Sequence, residues 1–203
     1  MTMSIETYLF ENNQLNEAFL NCPYEYYDHE FRRVAVDFNW KQVVQSTVNN
    51  IVRAYVETPL LMRSNVDTLQ LISKHWTKID RNLFYSVQQF LSISAIVIDH
   101  LLSFLSMNKQ SFDSNHGFLE DGASGIVTTL KGKDRHEAIV LEKLLLEVDE
   151  PLLQTYYDVA KRYYYEKNGS LPHQIEVIDL LNAKRYVHFS NLEEEQQHFL
   201  TTT

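Results

Sequence analysis

The sequence predicts a mainly α-helical bundle of six to eight helices, with room for a small two-stranded β accessory. Three observations carry that expectation. Five Gly and four Pro among 203 residues leave few sites for the tight turns of an all-β fold. Leu, Glu, Gln and Lys, all good helix formers, are plentiful. Apolar residues also recur at three- and four-residue spacing along most of the chain, the period of helices with one buried face. An apolar fraction of 44% supplies one core without staples.

Residues 4–21 place Ile5, Leu9, Leu15, Ala18 and Phe19 at helical spacing, and Cys22-Pro23 stops the helix because the residue before Pro avoids the helical region. Val34, Val36, Phe38 and Trp40 then alternate with Ala35, Asp37 and Asn39, the period of a half-buried strand. From Lys41 to Val56 one continuous helical face runs until Thr58-Pro59. A second helix starts near Ser64 with Asp67 in its first turn, and carries Leu69, Leu71, Ile72, Trp76 and Ile79. A third, over residues 81–107, is apolar on almost every side from Leu91 to Leu105, which predicts a helix surrounded by others at the hub of the core. Asp99 and His100 at its middle, diluted further by serines, argue for a buried helix of a soluble protein over a membrane span.

Ser, Asp, Asn and Gly gather over residues 108–125 in the one long loop. Ile126 to Leu130 is a candidate short strand beside residues 33–38. Asp134 with Glu137 forms a capping-box-like pair ahead of a helix with the face Ala138, Leu141, Leu144, Leu145 and Val148. Pro151 opens another helix, which ends at Asn168-Gly169. Ser170 and Pro172 start a further helix through Ile175, Ile178 and Leu181. Tyr186 to Phe189 fits helix or strand, and Asn191 caps a short acidic tail helix.

The net charge of −9 is uneven: residues 1–30 hold six acids and no Lys or Arg, whereas residues 31–110 hold nine basic against five acidic residues. The division predicts an acidic amphipathic arm, residues 1–30, followed by a single helical domain, residues 31–203. Removal of the arm is expected to change association more than folding, whether it docks on its own domain, on a second copy or on a partner. An acidic chain lacks the dense basic footprint of a general nucleic-acid binder, although the basic middle segment keeps a nucleic-acid-associated role as a third-ranked alternative. One cysteine, Cys22, excludes an internal disulfide framework and fits a reducing, cytoplasmic setting. The first residues carry no basic, apolar secretory pattern.

Two constellations carry chemistry. Glu147 and Glu150 stand three apart, as do Glu176 and Asp179; on helices each pair projects from one face, and two antiparallel helices then gather four oxygen ligands for Mg²⁺. The spacing resembles the E-x-x-E … E-x-x-D signature of the all-α nucleotide pyrophosphohydrolases, which include MazG-like and dimeric dUTPase enzymes. The resemblance implies an Mg²⁺ site of Glu147, Glu150, Glu176 and Asp179 engaging nucleotide phosphates. The second constellation is aromatic: Tyr156, Tyr157, Tyr163, Tyr164 and Tyr165 crowd one helix, and Tyr is enriched at binding hot spots. The leading functional expectation is a non-enzymatic cytoplasmic binding or regulatory module. It acts through helical protein–protein surfaces on a protein partner or a second copy, without cofactor or membrane. The Mg²⁺-dependent pyrophosphohydrolase is the alternative.

Overall fold

A computed structural model describes residues 13–24, 40–107, 116–118, 126–131 and 137–190. Among them are five α-helices: α1 (Asn13–Asn21), α2 (Trp40–Glu57), α3 (Asn65–Trp76), α4 (Val87–Met107) and α5 (Glu150–Asn168). They flank a five-stranded mixed sheet of β1 (His116–Phe118), β2 (Ile126–Lys131), β3 (Glu137–Leu145), β4 (Gln174–Asp179) and β5 (Lys184–Phe189), in the spatial order of the sequence. The helical bundle expected from composition is therefore corrected to a mixed α/β fold.

Strands β1, β2 and β3 form an antiparallel meander, β3 and β4 run parallel, and β5 returns antiparallel beside β4. The parallel step requires a crossover, which α5 supplies. The helix expected after Asp134 is the strand β3, and the helix expected after Pro172 is the strand β4. In both cases apolar residues three and four apart also fit a strand covered on both faces, because a spacing of three alternates the face and a spacing of four keeps it. From Val140 to Leu146 every residue is buried, the continuous burial of a central strand covered on both faces. In β4, Ile175 and Val177 are fully buried on the α5 side, and Glu176 and Ile178 take the other side.

The expectations for α2 and α3 hold. Ser64 caps α3 by accepting from Asp67 N at 3.1 Å, and α2 buries Val44, Val48, Ile51, Val52 and Tyr55. Helix α5 begins behind Asp149, whose carboxylate accepts from Leu152 N at 3.0 Å. It ends at Gly169, whose φ of 69° lies where only Gly is unstrained. The strand Ile126 to Leu130 is present as β2, but its partners are β1 and β3; residues 33–38, like the acidic tail, lie outside the described residues, and Trp40 opens α2.

The hub of the core is α5, which buries ten of its residues. Helix α4 buries only Val97, Leu101 and Leu105, so its expected place at the centre is also corrected. It lies at the periphery because Ser92, Asp99, Ser103 and Ser106 occupy one side of the helix and cannot enter an apolar interior unpaired.

Candidate functional site

Helices α3 and α4 pack against each other, and Ile72 and Trp76 of the first and Val97 and Leu101 of the second are buried. Trp76 Nε1 donates to Ser94 Oγ at 2.9 Å, which satisfies the indole and fixes its ring. Outside this contact the pair leaves a groove of about 610 Å³, lined by Leu69, Ile72, Trp76, Ile79, Phe90 and Ile98, with Ser73, Thr77 and Arg81 at its edge. The volume lies in the range of pockets that take ligands or side chains of a partner. Leu69, Ser73 and Thr77 follow one another at one-turn spacing, so the groove is about 12 Å long at 1.5 Å per residue.

The residues before, within and after α3 expose several apolar and basic side chains. Leu61, Met62 and Val66 are 96, 63 and 65% exposed, and Tyr85 is 94% exposed. Lys74, Lys78 and Arg81 are exposed and make no ion pair among the described residues. Burial, and then the charges of Lys78 and Lys74, push the His75 imidazole below its usual range. By length and composition alone α4 is the single helix among the described residues able to cross a membrane, with mean hydropathy 1.8 and 17% of that stretch buried.

The four predicted metal ligands lie apart from any helix pair. Glu147 sits between β3 and α5 and pairs with Lys41 Nζ at 2.7 Å. Glu150, in the first turn of α5, accepts from Gln154 Nε2 at 2.7 Å. Glu176 and Asp179 share β4, where a spacing of three puts side chains on opposite faces. Glu176 Oε1 accepts from Gln174 Nε2, and Arg185 Nε stands 2.7 Å from Glu176 Oε2 as an ion pair without hydrogen-bond alignment. Arg185 also reaches Glu142 at 3.3 Å, the residue beside Glu176 on β3. Asp179, fully buried, accepts from Val148 N at 3.2 Å and from Asn182 N and Nδ2 at 2.9 Å. It therefore ties the start of α5 to the β4–β5 turn. Among the described residues no three His, Cys, Asp or Glu side chains stand close enough to share a metal ion.

The tyrosines expected to form a surface lie mostly inside. Tyr156, Tyr157, Tyr163 and Tyr164 are 1–4% exposed, and Tyr165 is half-buried. The reason is that α5 is covered on two sides. Tyr156 packs on Phe19 of α1 at 6.4 Å between ring centroids, and Tyr157 stacks on His188 of β5 at 4.7 Å. Tyr163 donates to Glu17 of α1 at 3.0 Å. The described part of the acidic arm, residues 13–24, thus docks on its own domain, with Phe19, Leu20 and Tyr24 in the core.

Beneath α1 lies a polar cluster that sequence patterning did not single out. Lys143 is 2% exposed, and its ammonium donates to Asn21 O and Asn49 Oδ1 at 3.2 Å. Burial pushes its pKa down to about 7; nearby Cys22 opposes the fall and Arg53 adds to it. Gln45 holds the end of β3 through Leu144 O and Leu146 N, both at 2.9 Å. The Tyr24 hydroxyl bridges Glu147 N and O at 2.8 and 2.9 Å. These bonds fix α1 and α2 to the strand.

Compared with known proteins, the sequence matches no family model and no curated protein.

Proposed function

We propose that this chain is a non-enzymatic binding or regulatory module whose working surface is the α3–α4 hairpin. The observation that carries it is the apolar groove of Leu69, Ile72, Trp76, Phe90 and Ile98, with Arg81 at its edge and Lys74 and Lys78 exposed next to lining residues in sequence. The groove opens to solvent at Leu69, which is 47% exposed. The occupant that fits is an acidic amphipathic helix of a partner protein. A groove of two helical turns matches anchors at i, i+3 or i+4, and i+7, and Lys74, Lys78 and Arg81 complement acids on its flanks. The carboxylates considered for Mg²⁺ are occupied instead by Lys41, Arg185 and backbone amides, which supports a structural role for them.

Trp76 reports on the groove directly. In a Trp40→Phe background it is the only tryptophan, since the chain has two. Titration with a 14-residue acidic amphipathic peptide should shift its emission saturably, with Kd below about 100 μM, and Arg81→Glu should weaken binding by roughly tenfold. An emission unchanged up to millimolar peptide removes the proposal. So does equal affinity for a basic peptide of the same apolar pattern.

A further inference from the structure

We infer that the pocket between the C-terminal half of α4 and the β4–β5 turn binds a small aromatic hydroxy acid. The inference is independent of the groove, since His100, Ser103 and Met107 lie about 180° round α4 from Ile98. The pocket holds about 340 Å³, and Phe104 and Met107 of α4 with Ile178 of β4 give it apolar walls. That volume is at the small end of ligand pockets, which limits the apolar body to one or two rings. Ala183, at the turn, also lines the pocket and stands at φ 51°, a conformation that is strained for a residue with a side chain and that gathers at binding sites.

The polar groups of the pocket select the rest of the ligand. His100 Nδ1 lies 2.6 Å from Leu180 O, a contact in which that nitrogen carries the proton. The neutral ring therefore offers Nε2 as an acceptor, the partner of a ligand hydroxyl. Neither Nε2 nor the Ser103 hydroxyl makes a hydrogen bond among the described residues. Of the charged side chains, Arg185 is committed to Glu142 and Glu176, and Asp179 to Val148 and Asn182. Lys184 is exposed, lines the pocket and makes no ion pair among the described residues, so it is the charge open to a ligand. A single ammonium matches a carboxylate, whereas a phosphate draws several donors.

Titration of the full chain with 3-(4-hydroxyphenyl)propanoate, followed through imidazole and methyl NMR shifts, tests this. His100 and Ile178 should shift saturably, with Kd about 0.1–1 mM for so small a ligand. 3-Phenylpropanoate, which lacks the hydroxyl, and 4-(3-hydroxypropyl)phenol, which lacks the charge, should each bind roughly tenfold more weakly. Lys184→Met, at an exposed position, should reproduce the loss of the charge with an unchanged melting temperature, and His100→Phe should make the hydroxylated and plain acids bind alike. No saturable shift with this acid, its 3-hydroxyphenyl isomer or 4-hydroxybenzoate up to about 10 mM overturns the inference. Equal binding of the uncharged phenol, or a Lys184→Met protein that binds as the native chain does, overturns it too. So do shifts centred on Trp76, which would assign the acid to the groove.

Discussion

A lysine ammonium held away from water loses hydration that neutral oxygens only partly replace. Burial of Lys143, which has Asn21 O and Asn49 Oδ1 among its partners, therefore pushes its pKa down to about 7, against 10.5 when free. Between those values the unfolded chain holds a proton that the folded chain does not, so stability rises with pH by up to about 1.4 kcal/mol per unit. Above pH 10 the sign reverses. Tyr24 and Tyr156 are pushed upward by burial, so they ionise first in the unfolded chain and favour it. Urea midpoints measured from pH 6 to 11 should pass through a maximum near pH 10, and Lys143→Met should flatten the rising limb. A midpoint constant between pH 7 and 10 in the native chain contradicts this environment for Lys143. The sequence held little warning of it, since Glu142-Lys143 inside an apolar run resembles two solvated positions on a helix. Asp179 is a similar case. Its three backbone and amide donors make Asp179→Ala cost about 2–4 kcal/mol of stability by denaturation, and addition of Mg²⁺ should leave that loss unchanged.

At the scale of elements, legibility followed how many periods a segment satisfied. Helices α2 and α3 obey only the helical period and carry readable ends, Thr58-Pro59 and the Ser64 cap, so they were plain in the sequence. Segments β3 and β4 obey two periods at once. Ile175, Ile178 and Leu181 fit a helix, whereas Gln174-Ile175-Glu176-Val177 alternates as a strand and carries β-branched residues at its buried positions. What decided between them is the sheet, a long-range pairing that local spacing does not encode. The turn from β4 to β5 places Ala183 at φ 51°, where a side chain costs about 1 kcal/mol. Ala183→Gly should raise stability by roughly that amount; a lower melting temperature would show that the turn holds Ala183 without strain.

At the scale of the molecule, the apolar surface was legible in quantity but not in placement. The hydropathy of α4 suggested the centre of a core, yet Ser92, Ala95, Asp99 and Ser103 at helical spacing were the available signal that one side meets something other than apolar packing. The tyrosines of α5 misled in the opposite direction, because a helix crossing between parallel strands has both a sheet and a covering helix to satisfy. The proposed binding surface therefore lies not on α5 but at the α3–α4 groove beside Arg81. The central claim is that the groove is where a partner binds. Its most direct test is an NMR map of amide and side-chain shifts as the acidic amphipathic peptide is added to the full chain. Saturable shifts confined to Leu69, Ile72, Trp76, Phe90 and Ile98, with α5 unmoved, are the predicted result; shifts centred on Tyr156 to Tyr165, or none at all, would contradict it.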